Sequence, residues 1–332
     1  MKSVVTHLGL LAVAGALAFS VWSREEKAER TKSETIEVWS GRADAVESVE
    51  FESKKRKVRV QPKSDAQGRY YVVRLDKEDE PPAPKPADSS TPPLPPPVKR
   101  ESQLFIGTKE AEQFIEKVAA LKAVRAIGKV EAARNAEFGF DKPEGTIKVK
   151  VAGKEHVLTI GGQTPGGTER YAKAAPSNEV FAIESDLVQS LNFADSRLLS
   201  HNLQGFEDEE VKRVRISKAV KSRELVRMPE KKEAWADAAT PTKADETALN
   251  WMTKLGRLRA INFVEKPTGN LEPIAMVEYL AGTRPLGKLE LYKTTGEKGP
   301  EYLARTAYTR WYVTVPTSAA EQVDQDLGAL LK

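Results

Sequence analysis

The stretch FGFDKPEGTIKVKVAGKEHVLTIGGQTPGGTERYAKAAPSNEVFAIESDLVQSL, residues 138–191, decides the fold class. After the punctuation FGFDKP, Ile147, Val149 and Val151 alternate with Lys148 and Lys150, the period-two pattern of a half-buried strand. Gly153-Lys154 turns the chain, and His156, Leu158 and Ile160 mark a second strand. Residues 161–167, GGQTPGG, predict a long turn into a third strand at 171–174. Pro176-Ser177-Asn178 turns the chain again, and residues 180–183 give a fourth strand. Ser185-Asp186 then supplies an N-cap for a short helix carrying Leu187, Val188 and Leu191. The block predicts an antiparallel β-meander closed by a helix, and hence an α+β fold.

Upstream, Val46, Val49, Phe51, Val58 and Val60 predict a hairpin whose tip is KKRK at 54–57. Four adjacent cations suit a phosphate or lipid headgroup, but a solvated hairpin tip accounts for them without a ligand. Residues 70–75 give another strand, rich in β-formers. Residues 80–99 hold nine of the twenty prolines of the chain and fit neither a sheet nor a helix interior. They predict a solvated polyproline-II-like insertion; a docking or reach element is the competing reading. Ala111, Phe114, Ile115, Val118, Leu121 and Val124 then share one helical face, with Thr108 to cap the start and Gly128 to close the end.

The pattern then starts again. Val211, Val214 and Ile216 repeat the spacing of Val46, Val49 and Phe51 at an offset of 165 residues. A second amphipathic helix carries Ala248, Leu249, Met252, Leu255 and Leu258, and LRAI at 258–261 echoes VRAI at 124–127, an offset of 134. Residues 289–291, a turn at 296–300, residues 302–304 and residues 311–315 repeat the meander, with Ser318 opening a final helix. The 31-residue difference between the two offsets falls where only the first half has its Pro-rich segment. The expected organisation is a transmembrane signal-anchor at 1–23 and a juxtamembrane stretch at 24–44. A first α+β repeat at 45–200, with insertion 80–99, and a second at 201–332 follow.

The uncharged run at 3–23 is long enough as a helix, at about 1.5 Å per residue, to cross a hydrocarbon core of about 30 Å. Ala16-Leu17-Ala18 also fits signal peptidase, so cleavage after Ala18 competes with an uncleaved anchor. Apolar character persists through Phe19, Val21 and Trp22, which favours the anchor. Either outcome exports the remainder. Lys and Arg (52) nearly cancel Asp and Glu (48) in the 332 residues, so the net charge of +4 makes no field for nucleic acid. The absence of cysteine removes disulfides, thiolate metal sites and a cysteine nucleophile together.

No motif assigns a catalytic, cofactor-binding or metal-ligating residue. The glycines at 161–167 lack the following Lys-Ser or Lys-Thr of a phosphate loop, so no nucleotide is expected. His7, His156 and His201 have no second imidazole at ligand spacing. The acidic run Glu207-Asp208-Glu209-Glu210 lacks the alternation and glycine of a calcium loop and reads as a solvated strand entry. Trp235, Trp251, Trp311 and Tyr312 suit either a ligand groove or a core.

The helix ending in an Ala/Arg-rich turn, FGFDKP, LTIGGQTPGG at 158–167, Tyr171 and VFAI at 180–183 together resemble the bacterial family catalogued as domain of unknown function 4340. The Pro-rich insertion and Tyr70-Tyr71, where such proteins often place a tryptophan, depart from its pattern. The resemblance implies one N-terminal membrane helix, a periplasmic C-terminal part, and genes often beside ABC transporters like those of gliding motility. The expected function is thus a non-catalytic accessory protein at the inner (cytoplasmic) membrane, with protein partners in an envelope or transporter complex. A ligand-binding module with its site between the two repeats is the first alternative, and a carboxylate-based envelope hydrolase the second.

Replacing residues 80–99 with a short Gly/Ser turn is expected to leave the melting temperature within a few degrees. Loop closure changes by only about 0.6 kcal/mol per halving of length, and about 1 kcal/mol moves Tm by about 2–4 °C at this size. Unfolding on replacement would show that the segment packs on the core.

Overall fold

The computed structural model describes residues 35–78, 100–230, 234–296 and 299–332. The expected membrane segment 1–23 and the Pro-rich segment 80–99 lie outside the described residues, as does most of the juxtamembrane stretch. Among the described residues no helix is long and apolar enough to cross a membrane. In chain order the first elements are β1 (Ile36–Glu37), β2 (Val46–Ser53), β3 (Arg56–Asp65), β4 (Gly68–Glu78), β5 (Arg100–Gly107) and α1 (Lys109–Ala119). β6 (Lys122–Ala123), β7 (Arg125–Lys129), β8 (Gly145–Val151), β9 (Lys154–Gln163), β10 (Glu169–Ala175), β11 (Glu179–Glu184), α2 (Ser185–Asn192) and α3 (Ala194–Arg197) follow. The remainder holds β12 (Arg213–Lys218), β13 (Lys221–Arg227), β14 (Trp235–Asp237), α4 (Glu246–Leu255) and β15 (Phe263–Val264). β16 (Glu272–Ala281), β17 (Arg284–Gly296), β18 (Gly299–Thr306), β19 (Tyr312–Thr314) and α5 (Thr317–Leu330) complete it. Antiparallel strands with a few helices make this an α+β protein.

By contacts the chain divides into two units, one of the described residues up to Ala45 with Glu116–Val188, the other of Val46–Ile115 with Gln189–Lys332. In the first unit the strands lie in the order β8-β9-β10-β11-β7. β8 buries Ile147, Val149 and Val151 and exposes Lys148 and Lys150, as the alternation requires. Ala152 and Gly153 join it to β9 with φ of 48° and 78°, the positive values that suit a tight hairpin. Gly161 and Gly162 belong to β9 and not to the turn expected there. A Cβ on Gly161 would lie 2.2 Å from the Phe138 carbonyl oxygen, and one on Gly139 would lie 2.5 Å from the Gly162 nitrogen. FGF and GG are therefore two sides of one backbone crossing. Phe138 and Phe140 pack there with Val180, and Tyr171 meets Phe138 edge-on at 4.9 Å. Trp39 donates its indole N–H to the Val118 carbonyl at 2.9 Å and stacks on His156 with centroids 4.6 Å apart.

Three local expectations are corrected in this region. α1 stops at Ala119, and the chain beyond Leu121 is extended, because β6 pairs with β1 and β7 with β11. Gly128 does not close a helix; it has φ 91° beside the register shift where β7 meets β11. The Ser185 hydroxyl does not cap α2, being buried with no hydrogen-bond partner among the described residues.

In the second unit β2, β3, β4 and β5 form a sequential meander, and a separate eight-stranded sheet runs β14-β13-β12-β16-β17-β18-β19-β15. Both halves of the chain thus use one scheme after their long helix: four meander strands in order, with the strand that follows the helix returning to pair with the last of them. β5 is an added strand, since β14 pairs with β13 as β4 pairs with β3. Glu78 and Arg100 are cross-strand partners, so the ends that the Pro-rich segment joins already lie side by side. α4 and α5 cover one face of the eight-stranded sheet; Trp251 is fully buried and donates to the Val323 carbonyl at 2.9 Å. α5 starts at Thr317, one residue before the expected Ser318. β16 has no counterpart in the sequence reading, because Pro273 and the run Ala275-Met276 do not carry a strand signature.

Arg223 ties this core to the start of α4. It reaches Asp237 at 2.9 Å and Asp245 at 2.6 Å, and Asp245 also caps the helix by accepting from the Ala248 N–H. The Ala239 N–H and Arg223 hold Asp237 below the usual carboxylate range. Burial pushes Asp245 up, but the Ala248 N–H and Arg223 outweigh it and hold it low as well. Such carboxylates stabilise the fold fully above their unfolded value of about 3.9, and the contribution fades as pH falls through the lower folded value. The melting temperature is therefore expected to drop below about pH 4, and the variant Asp237→Asn/Asp245→Asn to lose part of that dependence. Equal pH slopes for the two proteins, followed by circular dichroism, would refute the assignment.

Candidate functional site

β3 and β4 turn Val58, Val60, Tyr71, Val73 and Leu75 into the core, all at 2 % exposure or less. Period two then fixes Arg59, Gln61 and Lys63 of β3, and Tyr70, Val72 and Arg74 of β4, on the opposite face. Register sets Arg59 opposite Arg74, Gln61 opposite Val72 and Lys63 opposite Tyr70, while Leu104 of β5 faces Arg74. With Glu265 and Trp311 these side chains line a cleft of about 620 Å³. Arg310 fixes its aromatic wall: it lies over the Tyr70 ring at 4.3 Å and holds Asp65 at 2.8 Å. The Thr108 and Tyr308 hydroxyls, 2.6 Å apart, add a second polar tie nearby.

The charge distribution of this face is unbalanced. Arg59 reaches Glu50 at 3.1 Å, but among the described residues neither Lys63 nor Arg74 has a carboxylate partner. Like charges directly opposite on neighbouring strands destabilise a sheet. The next row avoids this, with Glu52, Lys57 and Asp76 alternating in sign. The eight-stranded sheet avoids it too: Arg215 lies between Glu224 at 3.1 Å and Glu278 at 3.2 Å, and Arg213 also pairs with Glu224. The Arg59–Arg74 row thus stands out as a local excess of positive charge beside the half-buried rings of Tyr70 and Trp311.

The residues weighed in the sequence fall elsewhere. Trp235 and Trp251 are core, at 4 % and 0 % exposure, whereas Trp311 is half-buried and lines the cleft. Tyr312 packs edge-on against Tyr292 at 5.6 Å. His156 stacks on Trp39, and burial followed by the Lys154 charge lowers its pKa. His201 meets the Ala260 carbonyl oxygen through Nδ1 at 2.8 Å. The acidic run forms a short 3-10 turn, Asp208–Glu210, in which Glu207 and Glu210 cap each other's backbone. Among the described residues no cluster of three His, Cys, Asp or Glu side chains is placed to hold a metal ion. His7 lies outside the described residues. Arg59, Lys63 and Arg74 carry no motif, and Tyr70 stands out in the sequence only as a departure from the family pattern; the one available signal was their alternation with buried valines.

Comparison with curated proteins and with solved structures gives no match. The family model described as Domain of unknown function (DUF4340) matches residues 96–275, more than half of the 332 residues. The chain belongs to that family.

Proposed function

We propose that the protein is a non-catalytic accessory subunit of an envelope machine of the ATP-driven transporter kind. Residues 1–23 hold it at the inner membrane as a single-pass anchor, and the folded part lies on the extracytoplasmic side. The uncharged run at 3–23 supports the anchor. The folded part is a tandem pair of one α+β module, at 45–200 and 201–332; the shared strand order after each long helix supports this.

The observation that carries the binding role is the Arg59–Arg74 row beside Tyr70 and Trp311. Tyr, Trp and Arg are the side chains that dominate the energetics of protein interfaces. An acidic segment of a partner subunit, laid along this face, relieves the repulsion between the arginines and covers both rings. A small acidic ligand in the same cleft is the alternative, since about 620 Å³ lies within the range of small-molecule sites. The hydrolase reading is weaker, because the Asp237 and Asp245 pair is committed to Arg223 and to capping α4.

Purification of the full chain from detergent-solubilised native membranes tests the proposal. A transporter membrane component is expected to co-purify, with retention falling as ionic strength rises. Lys63→Glu/Arg74→Glu is expected to reduce retention about tenfold or more, on the scale of disrupted charge pairs, with Tm unchanged within a few degrees. Full retention by this variant overturns the docking face. A wild-type eluate without any transporter component overturns the accessory role.

A further inference from the structure

The offset of 165 residues that relates Val211 to Val46 also relates Gln204 to Trp39. Strand register supplies a second correspondence: Val149 faces His156 across β8 and β9, and Tyr279 faces Gly287 across β16 and β17. In the first half these two positions hold the stacked Trp39 and His156 rings, and the indole N–H is satisfied by the Val118 carbonyl. In the second half both rings are missing. Phe206 takes the room beside Gly287, where a Cβ would lie 2.9 Å from its ring.

Gln204 supplies no ring at the position matching Trp39. A half-open cavity of about 720 Å³ lies there instead, its apolar wall made by Leu203, Phe206, Trp235, Leu249, Met252 and Tyr279. The helices differ to match: Ile115 and Val118 are fully buried, whereas Leu249 and Met252, 134 residues on, are only partly buried. Among the described residues the buried Gln204 amide nitrogen has no hydrogen-bond partner of full geometry, although the nearby Tyr279 hydroxyl feels it as a donor. A buried donor left unbonded is costly, and supplying an acceptor recovers that cost. Arg227 lies over the Trp235 ring at 4.8 Å and pairs with Asp208 at 3.0 Å, whereas Arg257 and Arg259, which also line the cavity, have no carboxylate partner among the described residues.

We infer that this cavity binds a small planar heteroaromatic compound, its ring filling the indole position and one acceptor atom meeting Gln204 Nε2. Aromatic edges and faces from Phe206, Tyr279 and Trp235 and the Met252 thioether are the surroundings such a ring prefers. The site is separate from the Arg59–Arg74 cleft and does not depend on it.

Quinoline and naphthalene share size and shape, but only quinoline offers a ring acceptor. Titration of the full chain in detergent, with detergent-only blanks subtracted and Trp fluorescence as readout, is expected to show saturable binding of both. Gln204→Leu is expected to lower the quinoline-to-naphthalene affinity ratio about five- to tenfold, the value of one hydrogen bond. Gln204→Trp, which restores the ring of the first half, is expected to abolish binding of both and to raise Tm. Lys63→Glu/Arg74→Glu serves as the control and should leave ring binding unchanged. Non-saturable uptake, an unchanged ratio in Gln204→Leu, or undiminished binding by a folded Gln204→Trp each overturns the inference. Should Gln204→Trp fail to fold, the ratio in Gln204→Leu decides.

Discussion

A sheet has two faces, and helices packed on one of them leave the other to be managed by its own side chains. That constraint governs the second unit of this protein. Where β12, β13 and β16 expose their outer face, opposite charges alternate through Arg213, Arg215, Glu224 and Glu278 and neutralise one another. Where β3 and β4 expose theirs, Arg59 meets Arg74, and the nearby rings of Tyr70 and Trp311 remain partly open. Core demands cannot account for the second arrangement, because Val58, Val60, Val73 and Leu75 meet those demands from the opposite face. The side chains of this face can therefore be altered at little cost to the fold.

Local chemistry made most strands legible. Ile147, Val149 and Val151 alternate with lysines because a half-buried strand must separate its faces, and the hairpin around residues 54–57 obeys the same rule. Legibility failed where a distant segment decides. Gly161 and Gly162 look like turn residues, yet they are glycines because residues 138–140 cross them within van der Waals distance. Leu121 and Val124 continue a helical spacing, but the Leu121 carbonyl accepts from the Val38 N–H and the Val124 N–H donates to the Ala182 carbonyl, so distant segments supply their backbone partners. Spacing alone cannot distinguish the two, since an apolar side chain every three or four residues also fits a short strand after a bend.

The candidate cleft was less legible than the fold for a related reason. Trp235, Trp251 and Trp311 are equivalent letters in a sequence, and depth alone separates two core indoles from one that lines a cleft. Arg59 and Arg74 are ordinary exposed cations until register sets them face to face. Gln204 carries no signal by itself. Its position becomes informative through comparison with Trp39, beside which the pairing of Tyr279 with Gly287 supplies a second, separate correspondence.

The two halves also secure their long helices by the same bond made in opposite senses. In the first, the indole comes from the chain ahead of the sheet, and Trp39 donates to Val118 near the end of α1. In the second, the indole is on the helix itself, and Trp251 of α4 donates to Val323 of α5. Each bond buries a large ring and satisfies its single donor, the condition for a tryptophan in a core. Once Trp251 performs that task from within α4, the segment before β12 no longer has to supply a ring. Gln204 and Gly287 can then stand where Trp39 and His156 stand in the first half without loss of the sheet or its helix. On the tandem-module proposal, the cavity beside Met252 lies where the first half carries the Trp39 indole, and α4 carries an indole of its own in Trp251.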